Sequence, residues 1–123
     1  MGQMILHVDD DPDIRHAVAT ILAGEGYEVM SFTTVKDALR AVANRRPDLI
    51  LLDVMVEEQD SGLAAYDILA EKYPTIPSVI LTSLGEMIMP YFVDRKEMVW
   101  ILEKPIVAER LVHTVRSRLS SMQ

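Results

Sequence analysis

Met4-Ile5-Leu6-His7-Val8-Asp9-Asp10 is the stretch that decides the fold: a short, largely apolar run that ends abruptly in two carboxylates. Working outward, the same design recurs three times. Leu49-Ile50-Leu51-Leu52 ends in Asp53, Val79-Ile80-Leu81 ends in Thr82, and Val99-Trp100-Ile101-Leu102 is closely followed by Lys104. Short apolar runs bounded by polar residues read as buried strands of a parallel sheet. Open α/β sheets bind ligands outside the carboxyl ends of their strands. Four separate runs therefore deliver carboxylates, a hydroxyl and an ammonium to one edge, which is what holding a divalent cation beside a phosphoryl group requires.

Between these runs lie amphipathic helical segments. Asp11 can cap the first, with Pro12 at its first position. Ile14, Val18, Ile21 and Leu22 then repeat at helical spacing until Gly24 or Gly26. Val29 to Phe32 reads as the second strand and Thr34 to Asn44 as the second helix, with Ala38, Leu39 and Val42 inward. Asp48 to Asp53 is the third strand, and Ser61 to Tyr73 a third helix that stops before Pro74. Pro77 precedes the fourth strand, and Ala108 to Leu119 is the last helix. The βαβα alternation predicts an α/β fold, a doubly wound parallel sheet of five strands with helices on both faces. Residues 1–123 read as one domain, with no output domain in the chain. The irregular place is Glu86 to Met98, where Pro90 falls inside the expected fourth helix and removes a backbone donor. Met87 to Val93 is apolar all round, so a shortened, kinked or mobile helix is expected, divided between core packing and a patch for a partner or second copy.

Composition narrows the function. A net charge of −7 over 123 residues supplies no basic stripe for nucleic acid. There is no cysteine, hence no disulfide framework or thiolate chemistry. No apolar stretch is long enough to span a bilayer, and the first residues do not resemble a signal peptide. A soluble cytoplasmic domain without membrane or direct nucleic-acid contact is expected.

The chemistry follows from the residue types. Magnesium wants oxygen ligands in octahedral geometry and keeps several waters. Asp10 and Asp53 are the natural direct ligands, with Asp9 acting directly or through water. Asp53 is then placed to attack phosphorus and form an aspartyl phosphate. Phosphoryl transfer depends mainly on positioning and charge neutralisation, roles that Lys104 and Thr82 fill at the phosphate oxygens.

Taken together, Ile5-Leu6-His7-Val8-Asp9-Asp10, Leu51-Leu52-Asp53-Val54-Met55, Leu81-Thr82-Ser83 and Glu103-Lys104-Pro105 resemble the receiver domain of two-component response regulators, over essentially the whole chain. The resemblance implies a flavodoxin-like strand order 2-1-3-4-5, Asp53 as phosphoacceptor, and Asp9 and Asp10 as the acidic pair around Mg2+. It further implies the Met55 carbonyl as a metal ligand, Thr82 and Lys104 on the phosphoryl group, and a cis Lys104-Pro105 bond. The implied donor is a sensor histidine kinase or phosphotransfer protein, and the listener an unidentified downstream protein. The only catalysis implied is of the domain's own phosphorylation and dephosphorylation.

Three places depart from the family pattern. Glu57 stands where a proline is usual and Gly62 comes about one residue late, so the loop from Glu57 to Ser61 is longer and more acidic. Ile101 occupies the place of the switch aromatic, with Trp100 beside it and expected on the opposite sheet face. The fourth helix, part of the family's output surface, is the irregular segment. Met55 and Leu84, at positions that tune hydrolysis in receivers, are both apolar and unable to orient a water, so slow self-dephosphorylation is expected.

Each piece alone has a plainer explanation. Asp9-Asp10-Asp11 can be a solvated capping run, Thr82-Ser83 an ordinary strand end, and Lys104-Pro105 a strand terminator; their combination favours a site. His7, His16 and His113 show no metal spacing and receive no catalytic role, and the eight methionines read as core filler. The rival from another class is a receiver-like interaction module that no longer switches by phosphorylation, suggested by the altered loop and Ile101. An aspartyl-phosphate phosphatase commonly carries a second aspartate where Met55 stands. An FMN binder needs a phosphate cradle that the acidic first loop lacks.

Overall fold

The computed structural model describes residues 2–54, 61–83, 85–95 and 97–121. Five parallel strands, β1 (Met4–Val8), β2 (Glu28–Phe32), β3 (Leu49–Asp53), β4 (Ser78–Thr82) and β5 (Val99–Glu103), form one sheet in the order β2-β1-β3-β4-β5. This is the expected 2-1-3-4-5 order. Strand β1 lies between β2 and β3, and all five of its residues are buried. That double-sided burial is why the strand reads as a nearly continuous apolar run instead of an alternating one.

Helices α1 (Pro12–Ala23) and α5 (Ala108–Ser121) cover one face. Val18 and Leu22 of α1 and Leu111, Val115 and Leu119 of α5 pack there on Ile5, Leu49, Leu51, Val79 and Leu81. Helices α2 (Val35–Ala41) and α3 (Ser61–Lys72) cover the other face, where Ala38, Val42, Tyr66 and Leu69 meet Leu6, Val8, Ile50, Leu52 and Ile80. The alternation along β1 therefore divides the core: Met4, Leu6 and Val8 face one layer, and Ile5 faces the other.

The helix ends follow local chemistry. The Asp11 carboxylate accepts from the Asp13 and Ile14 N–H groups at 2.9 and 3.4 Å, and Pro12 occupies the first helical position, where it forfeits no hydrogen bond. Past the other end of α1, Gly26 adopts φ +92°, which the turn into β2 requires and an L side chain resists. Helix α2 is shorter than the expected Thr34 to Asn44. Thr34 is its cap, bonded to the Asp37 N–H, and helical geometry is left at Val42, with φ −102° and ψ 18°. Pro47 lies just beyond and disfavours helical geometry at Arg46. The other element boundaries lie within about two residues of expectation, within the usual ambiguity of helix ends.

The fourth helix is shortened, as Pro90 implies. Helix α4 is only Gly85–Ile88, and a 3₁₀ segment, Met89–Arg95, completes the connection to β5. Ile88 and Phe92 point into the core, whereas Met87, Met89, Tyr91 and Val93 are exposed. The expectation of core packing therefore holds for Ile88 and Phe92, and the exposed side chains are the ones left for the expected patch. The exposed Met87 and Met89 are exceptions to the reading of methionine as core filler.

Candidate functional site

At the carboxyl edge of the sheet, Asp9 immediately follows β1 and is held by its backbone on two sides. Its N–H donates to the Phe32 carbonyl at 2.9 Å, and the Arg15 guanidinium donates to its carbonyl at 2.7 Å. One carboxylate oxygen, Oδ1, accepts the Asp11 N–H at 2.9 Å. The residue is buried, at 2% exposure, whereas its neighbour Asp10 is exposed. Asp53 is the last residue of β3 and is half-buried. Carboxylate oxygens of Asp9, Asp10 and Asp53 all lie within 4.8 Å of one another.

Lys104 answers this concentration of negative charge. Its Nζ lies 2.5 Å from Asp53 Oδ1. The backbone fixes that approach: Thr82 pairs with Glu103 across β4 and β5, and the Lys104 N–H donates to the Thr82 carbonyl at 2.8 Å. The Lys104-Pro105 peptide is cis. Thr82 itself ends β4 and is buried, one register step beyond Leu81, which pairs with Asp53. Burial raises the Asp53 pKa above its ordinary value; Lys104 opposes the shift, and the charges of Asp9 and Asp10 add to it. Three carboxylates thus gather where one lysine ammonium approaches.

These residues fit a hard divalent cation. Three carboxylates converge, and the buried Oδ2 of Asp9 has no hydrogen-bond partner among the described residues, so oxygen donors are available in the number such ions use. The Met55 carbonyl, the remaining expected ligand, lies outside the described residues, as do Leu84 and the loop residues Glu57 to Asp60.

The match to the response regulator receiver domain model extends over residues 5–116. The chain belongs to this family. It is 34% identical over 124 residues to the nitrogen assimilation regulatory protein NtrX of Azorhizobium caulinodans, covering 100% of this chain and 27% of that protein. It is 32% identical over 121 residues to the DNA-binding response regulator MtrA of Mycolicibacterium smegmatis, covering 97% of this chain and 51% of the relative. The receiver therefore spans between a quarter and a half of these two relatives. The crystal structure of the receiver domain of NtrX from Brucella abortus superposes with a TM-score of 0.82 at 33% identity, covering 95% of this chain and 98% of that one. A CheY-like receiver from Methanospirillum hungatei, at 23% identity and a TM-score of 0.85, shows the shared fold. Phosphorylation-dependent signalling in two-component systems is the role that goes with the family.

Ile101 is partly buried against the α2/α3 core layer, and Trp100 is exposed on the other side, with the Arg118 guanidinium 4.4 Å from its ring centre. A groove of about 770 Å³ lies between the 3₁₀ segment and β5, lined by Met89, Phe92, Val93, Trp100 and Ile101 among others.

Two residues near the acids escaped the sequence reading. Arg15 was detectable as a cation one helical turn beyond the capping Asp11. His7 was passed over for lack of metal spacing, although strand alternation already put it on the same side of β1 as Asp9.

Proposed function

We propose that this receiver takes a phosphoryl group from a phosphohistidine onto Asp53 with Mg2+, and thereby changes its affinity for a downstream protein. The observation that carries the reading is the convergence of three carboxylates, with Lys104 Nζ 2.5 Å from the one that would react. Asp9, Asp10, Asp53 and the Met55 carbonyl would hold the cation. When bound, Mg2+ offsets the mutual repulsion of the acids and draws a phosphate oxygen toward them.

The residues of the chain do the rest. Asp53 ends a strand whose other residues are buried, which fixes its backbone, and its carboxylate would attack phosphorus from there. The new bond joins an Asp53 oxygen to phosphorus, while the phosphorus–nitrogen bond of the donor breaks and its electron pair stays with the imidazole. Lys104 and Thr82 would contact the phosphoryl oxygens, Lys104 by charge and Thr82 by its hydroxyl. The product places about −1.5 to −2 charges at the head of the sheet, enough to bias the β4–α4 and β5–α5 connections through these contacts. The donor would be a sensor histidine kinase or phosphotransfer protein. The domain would catalyse only its own phosphorylation and dephosphorylation. Action in the cytoplasm is the location that goes with the family, and among the described residues no helix is long and apolar enough to cross a membrane.

Intact-mass spectrometry tests this with the chain, Mg2+ and a small acyl phosphate. A single phosphoryl adduct is expected for the wild type, and none for Asp53→Asn or in chelator. An adduct that persists in Asp53→Asn places the acceptor elsewhere. The time course of its decay tests the expectation of slow self-dephosphorylation.

A further inference from the structure

His7 is an imidazole in the middle of β1, fully buried, with neither ring nitrogen hydrogen-bonded among the described residues. Register places it between Ser31 of β2 and Leu51 of β3, in the layer packed against α1 and α5. On that face Ile5, Leu49 and Leu51 are aliphatic, while the hydroxyl of the flanking Ser31 is itself buried without a hydrogen-bond partner among the described residues. Among the described residues the charged group facing it is the Asp9 carboxylate: His7 Nε2 lies 3.6 Å from Asp9 Oδ2.

The remaining contacts of Asp9 give that approach its meaning. Backbone N–H and carbonyl are both tied, and Oδ1 accepts the Asp11 N–H. Oδ2 is buried and lacks a hydrogen-bond partner among the described residues, and the His7 ring stands next to it on the core side. At 3.6 Å the pair is too long for a formed hydrogen bond. A small torsional adjustment of the ring or the carboxylate closes it.

We infer that His7 is a positioning residue for the cation site, steadying the Asp9 carboxylate from beneath so that its orientation toward Asp10 and Asp53 is set before a cation arrives. The inference rests on the Mg2+ reading above. A group that orients a ligating carboxylate without touching the ion typically tunes affinity about 10- to 100-fold.

Calorimetric Mg2+ titration of the wild type, His7→Leu and His7→Gln, with thermal melts in chelator, separates the possibilities. His7→Leu is expected to weaken Mg2+ binding about 10-fold or more. It should leave the melting midpoint of the magnesium-free chain unchanged or raised, because a stranded polar group is removed. His7→Gln returns an N–H to the reach of Nε2 and should restore most of the affinity. Wild-type affinity in His7→Leu overturns the inference alone. Equal weakening in His7→Leu and His7→Gln, or a loss of affinity that merely tracks a lowered midpoint in both, assigns His7 an ordinary packing role and also overturns it. Failure of the wild type to bind Mg2+ overturns the metal reading itself.

Discussion

At the carboxyl edge of the sheet, Asp9, Asp53, Thr82 and Lys104 stand at or just past the ends of four different strands, and hydrogen bonds between neighbouring strands fix their relative places. On the flank between β4 and β5 the connection is one turn of helix followed by a 3₁₀ segment. It is held by the side chains of Ile88 and Phe92 and leaves Met87, Met89 and Val93 exposed. The first region gets its geometry from a shared ladder, so each of these residues is placed by several others. The second depends on a few side-chain contacts, so single substitutions there should have concentrated effects. The proposed chemistry occupies the over-determined end, and the part expected to respond is the loosely determined one.

Phe92 gives the largest expected effect. It is buried and meets Tyr66 edge-on at a ring separation of 4.8 Å. Phe92→Ala should cost about 3–5 kcal/mol in urea unfolding. A cost below about 1 kcal/mol would show that the flank re-closes around the gap, and the contrast between the two regions would fail. Next comes Lys104→Ala, which removes the ammonium at Asp53. Adduct formation with the acyl phosphate should slow by about 100-fold, the usual loss for one preorganised charge donor. An unchanged rate would remove Lys104 from the transfer step.

A smaller effect concerns acidity. Burial raises the Asp53 pKa, so the folded chain binds that proton more tightly than the unfolded chain does. Stability on this account falls as pH rises from the ordinary carboxylate range through the raised value, and the penalty is complete above it. Asp53→Asn carries no such penalty. Its melting midpoint in chelator should exceed that of the wild type near pH 7, with the gap shrinking as the pH falls through the carboxylate range and on adding Mg2+. A gap independent of pH would mean that charge at this position is not the cause. The smallest effect is that of Tyr91→Phe, which removes the exposed hydrogen bond from Tyr91 Oη to Asp67, 2.6 Å long, between the 3₁₀ segment and α3. At most about 1 kcal/mol is expected; a larger cost would make this contact a main tether of the flank.

The two regions were unequally legible. Asp9, Asp10, Asp53 and Lys104 could be read because parallel strands bring their ends to one edge whatever the packing details. The start of α1 was legible in Asp11-Pro12, where cap chemistry is local. The end of α2 was not, because helical geometry breaks down at Val42 ahead of Asn44 and Pro47, and no glycine marks the place. Pro90 announced the break in the fourth helix. Which residues of Met87 to Val93 turn inward stayed hidden, because a run apolar at every position contains no period. His7 was visible by alternation, but its approach to Asp9 depends on side-chain rotation, which sequence does not encode.

The stacking of Arg118 over Trp100 has a practical corollary. The chain contains a single tryptophan, which lies on β5 four residues before Lys104 and is about half exposed. Indole emission therefore comes from one place, where β5 meets α5. That makes the protein its own unlabelled optical reporter. A spectral shift on phosphorylation that disappears in Arg118→Ala would trace rearrangement to this corner of the molecule, with neither a dye nor a partner protein in the sample.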